Sequence, residues 1–397
     1  MEHIERFIRY AKIDTQSNDK TGTTPSTEKQ KNLSRLLVNE LKELGLEDAY
    51  MDEYGIVYAH KKGEGDKIGL NAHVDTALEV TDTNVNPQIH KNFDGVSVKL
   101  NDKLVLSSEQ FPILKNFKGC DLITTDGNTL LGADDKAGIA IIMSALAYFH
   151  THPEVKHHNI SVSFTVDEEI GEGAKHFSLE KMDADYAFTI DGAHPSNVDF
   201  ENFNAKHFEM DIDGVSVHPG EGKGRLINAV LMLNEFLNMM PKNDTPYEAN
   251  EDEGFWHLTG VNGSSDKVHV EFILRDFCKE KLLKRVEIIE NSIQTLLKKY
   301  PAIKIKYDIV DQYENMRQYV DKNPKPVEVA KAALRKNGIE PVSSKIRGGT
   351  DGATFSKMGL VTPNLGTGSY NHHGRYEFLV IQEFEKMIQV VIDILKI

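Results

Sequence analysis

The 397-residue sequence predicts an α/β protein, a mixed, largely parallel sheet flanked by helices, with a smaller α+β domain inserted into it. Three observations carry that expectation. Short alternating apolar runs recur between helical stretches through the first half of the chain, the pattern of strands joined by crossover helices. One segment, 137–149, is apolar on every side, as a helix buried between layers must be. The middle of the chain changes to a strand–helix–strand–helix–strand order, and the first pattern resumes after it. The expected organisation is a larger domain in two parts, 1–203 and 315–397, around an insert at 204–314.

The first helix follows Thr24-Pro25-Ser26, where Leu33, Leu36, Leu37, Leu41 and Leu44 share helical spacing and Gly45 supplies a left-handed stop. Next, Ile68, Leu70 and Ala72 alternate in a strand that runs from Ile68 to Asp75. The buried helix comes after it. Ile160, Val162, Phe164 and Val166 then line one face of a strand, with Ser161, Ser163 and Thr165 on the other, and Tyr186, Phe188 and Ile190 repeat that alternation. The insert reads as a strand at 204–213, a helix at 226–240, an acidic loop at 245–254 and a strand near 267–274. A charged amphipathic helix at 279–299 and a strand at 303–310 complete it. A helix at 327–336 and a strand pattern beyond it return to the larger domain. No internal repeat or low-complexity tract interrupts this order.

Composition sets outer limits on function. A hydrophobic content of 40% with 27% charged residues is the balance of a soluble globular protein. The net charge of -15 repels phosphate backbones and anionic lipids, so neither nucleic acid nor a membrane surface is an expected partner. Cys120 and Cys278 offer no disulfide framework and no CxxC pair, as in a reducing compartment. The opening MEHIERFIRYAKID lacks the apolar core of a signal peptide, and the longest apolar run, 138–149, falls short of the about 20 residues that span a bilayer. The expected location is the cytoplasm.

Acidic residues and histidines fall where expected strands end. His73 and Asp75 are two apart, so an extended backbone points both the same way. Asp134 and Asp135 open the buried helix, where a carboxylate gains from the helix dipole. Asp167, Glu168 and Glu169 follow one strand and Asp191 another, while His372 and His373 lie in a glycine-rich loop near the end of the chain. Sites in open α/β sheets form outside the carboxyl ends of the strands, so these groups are expected to share one cluster. Carboxylates crowded together would repel and lose their charge, a problem that a pair of divalent cations removes. Nitrogen and oxygen ligands suit zinc, cobalt or manganese. Gly348-Gly349 lacks the GK[ST] of a phosphate loop.

The stretches around these residues are ERFIRYAKIDTQS, NAHVDT, LITTDGNTLLGADDKAG, FTVDEEIGEGA, TIDG, VSVHPGEGKGRLINA, EGFWHLTG, RDF, RGGTDGATFSKMGL and NHHGRYEF. Together they resemble the M20 metallopeptidases, and within them the tripeptide aminopeptidases, over nearly the whole chain. The resemblance implies two metals per chain, with His73, Asp134, Glu169, Asp191 and His373 as ligands. In GADDKAG it selects Asp134 as the bridging carboxylate, and in NHHG it selects His373, directly before the glycine, over His372. Asp75 would orient His73 and Glu168 would be the general base. The insert would be the family's lid, able to dimerise, and His218 in VSVHPG would hold the substrate carbonyl from the same chain or from its partner. Arg275 in RDF and Arg347 in RGGTDG are candidates for a peptide carboxylate, because guanidinium offers a bidentate fork.

These expectations add up to removal of the N-terminal residue from short peptides, tripeptides above all, by metal-activated water with Glu168 as base. The rivals are an N-acyl amino acid deacylase, dipeptidase or carboxypeptidase on the same apparatus, and a metal-binding module without catalysis. Glu168 argues against the last, since a site without chemistry needs no base beside its ligands.

Overall fold

A computed structural model describes residues 2–397. The chain folds as two compact units. The first holds the chain up to Phe200, then Met316–Ser344 and Thr350–Ile397; the second holds Glu201–Asn315 together with Lys345–Gly349. Arg347 therefore belongs to the second unit, although the sequence division placed it with 315–397.

In the first unit a seven-stranded sheet has the order Tyr50–Met51, Val57–Lys61, His158–Thr165, Glu64–His73, Tyr186–Gly192, Asn364–Gly366, Val198–Asp199. The four strands from His158–Thr165 to Asn364–Gly366 are parallel, and antiparallel strands close both edges. Glu64–His73 lies at the centre, with every residue from Ile68 to His73 buried, as a strand covered on both faces requires. The Ala133–Thr151 helix packs against this strand and against Tyr186–Gly192, with helices Glu2–Ala11 and Ile381–Leu395 on it in turn. That position accounts for its apolar surface all round. Its first turn is irregular: Asp134 and Asp135 have non-helical φ and ψ, so regular helix starts close to the expected 137.

The second unit is a four-stranded antiparallel sheet in the order Phe255–Gly263, Lys267–Asp276, Asn204–Asp213, Lys304–Tyr313. Phe208, Met210, Val270 and Phe272 bury one face beneath the helices Ala229–Met239 and Lys279–Lys299, which contribute Phe236, Ile289 and Ile293. The sequence reading lacks the Phe255–Gly263 strand. It is an edge strand, largely exposed, and a register shift between Leu258 and Gly260 breaks its alternation. The strand pattern expected after 336 is in part a helix, Asp351–Met358, which Thr350 caps by accepting from the Gly352 amide at 3.1 Å.

Candidate metal centre

Parallel strands end on one side of a sheet, and here they deliver the chemistry. His73 is the last residue of the central strand and is 1% exposed. Its Nε2 lies 3.0 Å from Asp134 Oδ1 and 3.5 Å from Asp191 Oδ1. Asp191 sits on the neighbouring strand, and Asp134 at the head of the buried helix. The other oxygen of Asp134 faces the glycine-rich loop, 3.4 Å from His373 Nε2 and 3.5 Å from His372 Nδ1. His373 Nε2 also meets Glu169 Oε2 at 3.0 Å, whereas His372 Nε2 is spent on Ser369 Oγ at 2.8 Å. Asp134 thus stands among three histidines, Oδ1 toward His73 and Oδ2 toward His372 and His373.

Carboxylates behind this group hold it in place. Asp75 Oδ1 is 3.3 Å from His73 Nδ1, and its two oxygens accept the Glu168 and Glu169 amides at 3.1 Å each. One residue therefore orients the histidine, its carbonyl 3.1 Å from Nδ1 beside the carboxylate, and pins the Glu168-Glu169 turn. Asp167 begins that turn at φ 58, and its carboxylate accepts from the Ser26 amide at 2.7 Å and from Gln30 Nε2 at 2.6 Å. Asp135 is committed to backbone, accepting from the His73 amide and from the Gly138 amide at 3.2 Å each.

Crowding shows in the acidities. Burial, then the charge of Asp134, pushes the Glu169 carboxyl up to about 8. Burial, then Asp134, also raises Asp191, to about 6. Glu168 is held well above the usual carboxylate range by burial and by Asp191, Asp351 and Glu169, against the opposing charge of His73. For Asp134, burial acts upward, but His372, His373 and His73 outweigh it and hold the group low. Hydrogen bonds to Asp134 and Glu169 raise His373 to about 11. Such a set of opposed acids and imidazoles is the environment that a divalent cation relieves.

The donors fit such an ion. His73, Asp134 and Glu169 form one group, and His73, Asp135 and Asp191 another, each with ligand atoms within 4.8 Å of one another. Glu169 Oε1 is buried with no hydrogen-bond partner among the described residues, a cost that coordination would remove. All donors are nitrogen or carboxylate oxygen.

Three further residues predicted from sequence lie in the second unit. His218 Nδ1 accepts from the Gly220 amide at 3.2 Å in an exposed turn. Arg275 is buried, its Nη1 donating to the carbonyls of Lys206 at 3.2 Å and Leu274 at 3.0 Å, with its guanidinium 5.2 Å from the Tyr313 ring centre. Arg347 Nη1 donates to the carbonyls of Asn250 at 2.8 Å, Glu251 at 2.5 Å and Glu253 at 3.2 Å, and the guanidinium covers Phe203 and Phe255. Each arginine thus has a structural task within its own unit.

Sequence reasoning missed Asp351 and Glu377. Asp351 is buried beside Thr165 Oγ1, which donates to it at 2.6 Å, and burial raises its carboxyl to about 7. Glu377 is buried against the 131–134 backbone. Both fall inside the motifs quoted above, in RGGTDG and HHGRYEF. An acid without a strand end or a neighbouring histidine carried no signal of its own.

Comparison with known proteins bears on the family and the fold. A peptidase T of Clostridium perfringens is 45% identical over 397 residues, covering 99% of this chain and 98% of the relative. The crystal structure of aminopeptidase PepT from Bacillus cereus superposes with a TM-score of 0.79 at 20% identity, over 99% of this chain and 96% of that one. A tripeptidase structure from Staphylococcus aureus gives the same TM-score, 0.79, at 22% identity and coverages of 99% and 97%. Residues 124–397 match the family described as Peptidase family M20/M25/M40. With the full-length likeness to peptidase T, that match makes the chain a member of peptidase family M20/M25/M40.

Proposed function

We propose that the chain removes the N-terminal residue from tripeptides in the cytoplasm, using two divalent ions, with zinc first and cobalt or manganese as substitutes. The observation that carries the reading is Asp134 between His73 and His373, beside a Glu169 oxygen buried without a partner among the described residues. His73, Asp134 and Asp191 would hold one ion, and Asp134, Glu169 and His373 the other. When bound, the ions supply Lewis-acid polarisation of the scissile carbonyl and lower the pKa of water.

The rest is done by the chain. Glu168 takes a proton from the attacking water and returns it to the leaving amine, the work of a base whose affinity for protons is raised by burial and neighbouring acids. Asp75 keeps the His73 ring and the Glu168 backbone in register. The acidic surroundings suit a substrate's free α-amine. The proposal assigns the substrate carbonyl to His218, from its own chain or from a partner joined through the second unit, and the peptide carboxylate to Arg275 first and Arg347 second. Peptides are the expected partners. No helix of the described residues is long and apolar enough to cross a membrane.

The test is a substrate panel with metal analysis: free tripeptides, end-blocked tripeptides and N-acetyl amino acids, before and after chelation. Cleavage of free tripeptides alone, lost on chelation and restored by zinc, supports the proposal. Turnover of N-acetyl amino acids or of N-blocked tripeptides would move the function to a deacylase or carboxypeptidase. Full activity in metal-free protein would refute the metal reading.

A further inference from the structure

Glu377 is a buried carboxylate, 1% exposed, that the mechanism does not use. Burying a charge without compensation is costly, and here the compensation is main-chain N–H. Oε2 accepts the Leu131 and Gly132 amides at 2.8 Å each, and Oε1 accepts the Asp134 amide at 3.0 Å. Those amides lie just before and within the irregular first turn of the Ala133–Thr151 helix, where backbone donors have no helical partner. Gly132 has φ 73, and Asp134 has φ -83 with ψ 103. Nothing in helix propensity would hold that shape.

We propose that Glu377 is a positioning residue, which sets the backbone of Asp134 so that its carboxylate already stands between His73 and His373 before any metal arrives. The inference rests on the reading of Asp134 as a shared metal ligand. The loop that carries Glu377 also carries His373, four residues earlier, whose Nε2 lies 3.4 Å from Asp134 Oδ2. One loop therefore supplies one ligand and braces the backbone of another, so the spacing between the two is fixed by a single element.

Glu377→Gln tests this. Glutamine keeps one oxygen for Leu131 and Gly132 but turns an amide N–H toward the Asp134 amide, where an acceptor is needed. In calorimetric titration of the metal-free protein with zinc alone, affinity should fall about 10–100-fold, the usual loss when the support of a ligand is removed. The visible spectrum of the cobalt-loaded variant should change, and kcat should fall while KM for a tripeptide holds. Affinity and spectrum equal to wild type would overturn the proposal. Hydrogen exchange on the wild-type protein decides independently of whether the variant folds. The Leu131, Gly132 and Asp134 amides should be protected without metal, and protection that appears only when zinc is added would mean that the metal, not Glu377, orders the segment. A wild-type protein that binds no zinc would instead overturn the metal reading, and this proposal with it.

Discussion

Glu168→Gln separates chemistry from coordination. Glu169 meets His373 Nε2 at 3.0 Å, while Glu168 makes no ion pair with either histidine among the described residues. Its backbone amide is fixed by Asp75 at 3.1 Å, a bond that the substitution leaves in place. Glutamine has the same shape and cannot accept the water's proton. The expected loss in kcat is about 10²–10⁴-fold, which at 1.36 kcal/mol per tenfold is about 2.7–5.4 kcal/mol of barrier. Removing one acid from a crowded group also relieves repulsion, so the metal-free variant should unfold no earlier than wild type. The assays are steady-state tripeptide hydrolysis and metal content by elemental analysis on the same preparation. Two metals retained with activity lost is the expected result. Loss of metal would exchange the roles of Glu168 and Glu169, and activity within tenfold of wild type would remove Glu168 from the mechanism.

The remaining expectations concern the ligand loop, pH and the second unit. His373→Ala should lose more metal than His372→Ala, because His373 Nε2 faces both Asp134 and Glu169 while His372 Nε2 is held by Ser369; metal analysis of both variants in the reverse order would refute the choice. Burial raises Asp351 to about 7, so the folded state binds its proton more tightly than the unfolded chain and stability falls as pH rises from about 4 to about 7. Asp351→Asn should match wild type near pH 4 and exceed it by up to about 4 kcal/mol at pH 7 in urea unfolding of the metal-free protein, and parallel pH curves would exclude this. Arg275→Ala should lower kcat/KM for free tripeptides far more than for their C-terminal amides; equal losses would reduce Arg275 to its carbonyl bonds with Lys206 and Leu274. His218→Ala should lower rate without lowering metal content, and activity recovered in hybrids with Glu168→Ala chains would show that it acts across a dimer.

Where side-chain period and burial coincide, the fold was legible. The strand through Ile68 and Leu70, the helix from near residue 137 and the strands ending before Asp167 and near Asp191 all bury the apolar residues their patterns mark, and the strands bury the residues between them, Ser161, Ser163 and Thr165 included, as well. The exposed Phe255–Gly263 edge strand was not legible, since its bulge breaks the period and its burial is slight. The Asp351–Met358 helix was hidden by its composition: DGATFSKM has two strong turn formers and little apolar periodicity, and the Thr350 cap starts it. Likewise, the two arginines show why charge alone misleads. A guanidinium that serves backbone carbonyls is written in the sequence just as one that serves a ligand.

The acids divide by what their oxygens accept. Asp135, Asp167 and Glu377 each take main-chain amides, and Asp75 does so while also facing His73 Nδ1, so that these acids hold strand ends, the helix head and the Glu168 turn in place. Asp134, Asp191 and Glu169 turn oxygens toward imidazole, and one oxygen of Glu169 has no partner among the described residues. Sequence cannot make this division, because Asp134-Asp135 and Glu168-Glu169 are adjacent like residues whose roles are set by which way the backbone turns them. The first group is satisfied by the fold itself. The second has lone pairs left over and mutual repulsion to shed, and both needs are met only by something positive placed among them. On this argument Asp167 and Glu377 should be indifferent to metal, whereas the facing acids should change their proton occupancy when it binds.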